Sequence, residues 1–198
     1  MRRGVWWDAV MAIIHRATLI PSKIELIAAW LSQESWVTAA ASAVTAIGAY
    51  RFDDPAGEVG IESHVVEVGG RVFHVPLTYR GAPLDGAEAF LVGTMEHSVL
   101  GTRWVYDAAG DPVYRAELVR VITEADTQVE LFVDTPQGLE PREPNMRVHG
   151  SGGDVPGNPD IVVVREPARP GSPSPWTLTG TWAGGEPGTV LAYLEPGA

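Results

Sequence analysis

Gly69-Gly70 sits between two apolar-rich runs, and this dipeptide constrains the fold more than any other feature of the chain. Two-residue glycine loops take primed turns, whose twist matches that of the flanking strands. The pair therefore predicts a hairpin over residues 58–68 and 71–80, with Val68 opposite Arg71 and Val65 opposite His74. Side chains alternate faces along a strand. One face then carries Val66, Val68, Phe73, Val75 and Leu77 and is the core face, with His64 at its far end. His74 falls on the opposite face, so the two histidines cannot share a metal.

Other elements follow on either side. Residues 9–20 are rich in β-branched and apolar residues and read as a first strand, buried on both faces at its centre and ended by Pro21. Ser22 and Glu25 have capping-box spacing, in which each side chain satisfies the other's backbone N–H. They open a helix whose apolar stripe is Ile24, Ile27, Ala28 and Leu31, widened by Leu26 and Trp30. Residues 35–43 favour no element. Residues 44–53 read as a strand, followed by a turn at Asp54-Pro55-Ala56-Gly57. Residues 81–94 read as a loop with a helical turn, and 95–107 as a long strand broken or bulged at Gly101. As an edge, that strand offers a pairing surface to a second copy and so a homodimer. Asp111 caps a second helix, with Pro112 at its first position and Tyr114, Leu118, Val121, Ile122 and Ala125 on its apolar face.

Beyond residue 135 the composition changes. Eleven of the sixteen prolines lie between Pro136 and Pro196, and 136–160 reads as a long Pro/Gly loop. Short strands over 160–166, 176–183 and 189–194 suggest a small β extension. The expected organisation is an α+β unit over 1–135 with 136–198 packed on it, not independent of it.

Composition removes whole classes of chemistry. There is no cysteine, which excludes a disulfide framework, thiolate metal sites and a cysteine nucleophile. The formal net charge is −11, Lys23 is the sole lysine, and the arginines are scattered, so a nucleic-acid partner is not expected. Arg2 and Arg3 precede an apolar stretch from Val5 to Ile14 that mimics a leader, but Asp8 interrupts it and no small-residue cleavage site follows. No run reaches the roughly 20 apolar residues of a membrane span. The expectation is a cytoplasmic protein without a membrane partner.

Motifs that carry chemistry are missing or fail on geometry. Neither a phosphate-loop string nor a dinucleotide fingerprint occurs. Gly184-Gly185-Glu186-Pro187-Gly188 reads as a hairpin loop. His149-Gly150-Ser151-Gly152-Gly153-Asp154 holds a His, a Ser and an Asp, but a nucleophile elbow needs G-x-S-x-G between strand and helix. It reads as a flexible loop. His15, His64, His74, His97 and His149 lack the spacing that puts two ligands on one helix face. No catalytic residue, metal or cofactor is expected. The densest polar–aromatic cluster is Glu96-His97 with Trp104-Val105-Tyr106-Asp107; Tyr79, Glu96, His97, Arg103, Trp104 and Tyr106 are the candidates for a ligand or partner surface. The competing reading is an edge strand whose aromatics pack under the second helix. The seven tryptophans are dispersed, so most are expected in the core rather than on a sugar-stacking surface.

Four strings in order carry a family resemblance: HRATLIPSKIELIAAWL (15–31), GAYRFDDPAGEVGIE (48–62), VPLTYRGAPLDGAE (75–88) and GTMEHSVLGTRWVYDAAGDPV (93–113). Over about residues 8–125 the chain resembles the N-terminal cap domain of maltokinases and related aminosugar kinases, and stand-alone cap-like proteins. The resemblance implies a curved antiparallel sheet wrapped on a helix, cystatin-like in outline. In those kinases the cap precedes a kinase-like body that phosphorylates a sugar with ATP and magnesium. The family's catalytic residues lie in that body, and this sequence holds no catalytic-loop or metal-binding string of that kind. The expected function is therefore a non-catalytic interaction or regulatory module. Its partner would be a sugar-kinase body or another enzyme of glucan, trehalose or aminosugar metabolism. Two alternatives are a sugar or sugar-phosphate binder and an enzyme of unrecognised kind.

Overall fold

The computed structural model describes residues 12–14, 17–37, 43–135, 138–167 and 172–197. The expected first strand resolves into two short ones in different sheets, β1 (Ala12–Ile14) and β2 (Leu19–Ile20). Trp6, Trp7, His15, the leader-like stretch before Ala12 and most of the 35–43 segment lie outside the described residues. Helix α1 (Lys23–Leu31) starts at the expected capping box: the Glu25 N–H donates to Ser22 Oγ and the Ser22 N–H to Glu25 Oε2.

Strands β3 (Thr45–Phe52), β4 (Gly60–Val68) and β5 (Arg71–Arg80) form a meander. The β4–β5 turn has φ of 59° at Gly69 and 78° at Gly70, the left-handed values a primed turn requires. Its register is the expected one, Val68 with Arg71 and Val65 with His74. The β3–β4 turn is held by Asp54, whose carboxylate accepts the N–H groups of Ala56, Glu58 and Val59.

The single strand expected over 95–107 is instead a hairpin of β6 (Leu91–His97) and β7 (Gly101–Asp107), and β6 begins inside the expected loop. Of the two expectations at Gly101 the break holds and the bulge does not: Gly101, with φ of 72°, closes the turn and opens β7. Strand β7 lies between β6 and β5, and β2 covers part of β6, so 101–107 is not an edge. Helix α2 (Pro112–Thr123) is capped by Asp111 as expected. Ala125 falls beyond its end, in a left-handed conformation.

The 136–160 segment is not a long loop. It contains β9 (Gly138–Arg142), which pairs with the preceding β8 (Leu131–Thr135) in a small sheet with β1, and all of β10 (Met146–Gly150). Of its described prolines, Pro141 lies on exposed β9 and Pro144, Pro156 and Pro159 lie between strands, where a missing N–H donor is tolerated. Strands β11 (Asp160–Val163), β12 (Thr177–Trp182) and β13 (Thr189–Glu195) match the three expected strands and join β10 in a four-stranded sheet, ordered β10-β12-β13-β11. Residues 184–188 lie in the β12–β13 hairpin loop.

The protein is therefore α+β, mostly antiparallel, with a curled main sheet ordered β2-β6-β7-β5-β4-β3. That sheet is buried on both faces. Val66, Val68, Phe73, Val75 and Leu77 pack under Leu26, Ile27 and Leu31 of α1. The opposite face, with Tyr50, Phe52, Ile61 and Val65, packs under Tyr114, Leu118 and Ile122 of α2 and under Met146, Leu178 and Leu191 of the second sheet. This double cover explains why six consecutive residues of β5 are buried. His74, on the second face, is enclosed rather than solvent-facing. No described helix is long and apolar enough to cross a membrane.

Candidate functional site

On the α1 face, the apolar surface of the sheet gives way at His64 to a polar cluster. Cross-strand register puts Arg51 beside Glu62, and Gly60 beside Tyr79. Lys23, at the first position of α1, reaches down to this patch. Its Nζ donates to Glu62 Oε2 at 2.5 Å and lies 5.3 Å from the centre of the Tyr79 ring. His64 Nε2 is 3.2 Å from Tyr79 Oη and 3.6 Å from Glu62 Oε1.

Burial opposes the charge on Glu62, but the Lys23 ammonium, His64 and Arg51 together hold its pKa down at about 2. Burial lowers the pKa of His64 against the pull of Glu62, so its imidazole is neutral at pH 7. Burial, reinforced by Glu62, raises Tyr79 well above the ordinary phenol range. The cluster at neutral pH is one ion pair beside two neutral hydrogen-bonding groups.

A cavity of about 410 Å³ opens next to this cluster, along the free side of β3. Lys23, Arg51 and Glu62 contribute to one wall, and residues 127–131 and 141–148 build the others. That arm is fastened to β3 through main-chain groups: the Val129 N–H donates to Arg51 O at 3.1 Å, and the Ala49 N–H to Asn145 Oδ1 at 3.2 Å. Gln128 ties the arm to β10, accepting the Val148 N–H at 2.8 Å. Arg51 Nε is buried and has no hydrogen-bond partner among the described residues. Arg142, Arg147, Glu130 and Glu143 complete the charged lining.

Of the sequence candidates, only Tyr79 belongs to this cluster. Glu96 Oε1 accepts the Thr102 hydroxyl at 2.8 Å across the β6–β7 pair. His97 Nδ1 accepts the N–H groups of Val99 and Leu100, which fixes the hairpin turn. Arg103 Nη2 donates to Leu100 O at 2.5 Å. Tyr106 is buried and its hydroxyl accepts the Leu84 N–H; Trp104 is half-buried, in register with Arg80 and Thr94. These residues brace a hairpin and converge on no common point. They do present an apolar tip: Val99 is 60% and Leu100 51% exposed, and Ile20 on β2, where Glu96 pairs with it, is 68% exposed.

The Ser-Gly string is ordered, and its role is to close α2. The Gly152 N–H donates to Ile122 O at 2.7 Å and the Gly153 N–H to Thr123 O at 2.9 Å, satisfying carbonyls left free at the helix end. Ser151 Oγ accepts the Thr177 N–H at 3.0 Å. A Cβ on Gly150 would stand 2.0 Å from Val121 O, so the close approach requires glycine. Among the described residues no three His, Asp or Glu side chains group as metal ligands.

Sequence reasoning missed Lys23, Arg51 and Glu62. The register argument reaches Glu62 once β3 is paired with β4, and the sole lysine four residues before Ile27 marks the helix end above it. The arm gives no comparable signal: 127–131 favours no element in the sequence, and 141–148 falls in the expected 136–160 Pro/Gly loop.

A curled antiparallel sheet with a helix on each face and a lateral cavity defines the class as a small α+β module. Residues 30–111 match the family model of the maltokinase N-terminal cap domain, somewhat less than half of the chain. The matched region runs from the end of α1 through β7 to the cap of α2 and includes Arg51, Glu62 and Tyr79. Lys23 and the arm that closes the cavity lie outside it. The matched model is that of the cap and not of a kinase catalytic body. No curated protein matches the chain.

Proposed function

We propose that this chain is a non-catalytic interaction module that docks, as a cap does, on a sugar-kinase body or another enzyme of glucan, trehalose or aminosugar metabolism, in the cytoplasm. The cap match over 30–111 carries the reading. The exposed apolar tip formed by Ile20, Val99 and Leu100 supplies a contact surface, since apolar side chains grouped on a surface commonly mark partner sites. Glu96, His97 and Arg103 hold that tip in shape from below.

The test is titration of the full chain against a purified maltokinase catalytic body with its own cap removed. Saturable binding, weakened at least tenfold by Val99→Asp with Leu100→Asp, is the expected result. No binding to the bare body removes the proposal. Sedimentation of the chain alone examines the remaining occupant of the tip, a second copy: a dimer dissolved by the same substitutions assigns the surface to self-association instead. A second reading, a small-molecule binder, is favoured by the cavity beside β3.

A further inference from the structure

Among the described residues, Arg51, on β3, stands out as a cation with no hydrogen-bond or ion-pair contact at its buried Nε. Buried polar groups in native proteins nearly always have partners, and a buried charge left alone is costly. Glu62, its neighbour across β3–β4, is engaged at 2.5 Å by Lys23. With the Glu62 carboxylate taken by Lys23, Arg51 acts on Glu62 only through space, and its Nε has no hydrogen-bond partner at the cavity wall among the described residues.

The remaining lining gives the cavity a chemical character. Glu143 stands 3.6 Å from Arg147 at the exposed rim. With the two ion pairs set aside, Arg51 and Arg142 face a single carboxylate, Glu130. The cavity is thus locally cationic in a chain of net charge −11. At physiological ionic strength the screening length is roughly 8 Å, so these near groups outweigh the distant acidic surface for a small ligand. The Asn145 side-chain carbonyl accepts the Ala49 N–H, and Asn145 is part of the cavity lining, so its amide group is a donor available there. Val129, Leu131 and Pro144 supply apolar wall. The volume of about 410 Å³ lies in the roughly 300–1,000 Å³ range of small-molecule sites.

We infer that this cavity binds a small polyhydroxylated anion, a sugar phosphate or a sugar acid, with Arg51 as the anion anchor and Arg142 as its outer partner. The anionic oxygens would satisfy the guanidinium, hydroxyl groups would pair with Glu130 and Asn145, and the C–H face would lie on Val129 and Pro144. This inference rests on the small-molecule reading and is independent of docking at the β6–β7 tip.

Calorimetric titration of the full chain tests it, with glucose 6-phosphate, gluconate, glucose and inorganic phosphate as probes. The expected order is glucose 6-phosphate or gluconate tighter than glucose and tighter than inorganic phosphate, each by at least tenfold. Arg51→Gln should weaken the anionic sugars at least tenfold and leave any glucose binding unchanged. Because Arg51 is half-buried, Arg142→Glu serves as a second variant at an exposed position, with a loss of several-fold or more expected. Equal binding of glucose and its phosphate overturns the anion assignment but keeps the small-molecule reading. Inorganic phosphate binding as tightly as the sugar phosphate overturns the polyol assignment. No heat with any probe overturns both. Anionic sugars that bind both variants as tightly as the wild type place the site elsewhere and end the proposal.

Discussion

Glycine 150 shows how tightly single residues are held. A Cβ there would run into the Val121 carbonyl and the Ile122 main chain, both of which belong to α2 and cannot readily move aside. Gly150→Ala should lower stability by about 1–3 kcal/mol or more, the cost of overpacking a filled site, read as a lower urea midpoint at unchanged slope. Histidine 74 gives a pH-dependent counterpart. Burial, then Arg165, holds its pKa at about 3, while its ring bonds Tyr50 at 2.9 Å. Its folded pKa is thus depressed below the unfolded value of about 6.5. The unfolded chain binds the proton first, so the stability is full above about pH 6.5 and is lost as pH falls toward 3. His64 is shifted in the same direction, so His74→Phe should flatten only part of the decline in urea midpoint between pH 7 and pH 4.5. An undiminished decline in the variant would exclude His74 as a contributor. The facing of these two histidines was legible in the sequence, because Gly69-Gly70 fixes the register. The Lys23–Glu62–Arg51 grouping was not. It depends on where α1 lands on the sheet and on the register shift between Ala46 and Gly48, neither of which is encoded locally.

At the scale of elements, Asp111 links a helix to the sheet. Its carboxylate caps α2 through the Val113 N–H, accepts the Thr78 hydroxyl at 2.7 Å and pairs with two nitrogens of Arg80. Burial opposes its charge, but Arg80, Thr78 and the helix N–H together hold its pKa below the ordinary carboxylate range. A depressed acid contributes stability that is present above the unfolded pKa of about 4 and lost as pH falls through the folded value. Asp111→Ala should cost about 3–5 kcal/mol, since it strands a partly buried arginine as well as a helix end. Thermal melts at pH 7 should show the full loss and melts near pH 2 a smaller one. The cap itself was readable from Asp111-Pro112, but its ties to β5 were not, since they join residues more than thirty apart. The β6–β7 hairpin was misread for a related reason. Ser98-Val99-Leu100 carries two apolar residues in a turn, where periodicity expects polar ones, and it is held by His97 and Arg103 rather than by turn chemistry of its own.

For the whole molecule, the distribution of the core matters most. One buried cluster joins β3 and β4 to α2 and to β10, β12 and β13. Further ties cross the main sheet beside β5: the His74 N–H donates to Arg165 O at 2.8 Å, Arg71 forks onto Glu166, and Arg165 pairs with Asp107. A chain ended at residue 135 would expose Tyr50, Phe52 and Val65 at once. It should lose cooperative unfolding and bind a hydrophobic dye, whereas the full chain should melt in one transition. A stable, cooperative 1–135 fragment would refute this. Lys23 has a practical consequence. It carries the only ε-amino group of the chain, and that group is held against Glu62 at the mouth of the cavity. An acylating label directed at amines would therefore have a single side-chain target. Its rate of incorporation becomes a built-in gauge of the cavity, slowing whenever something occupies it.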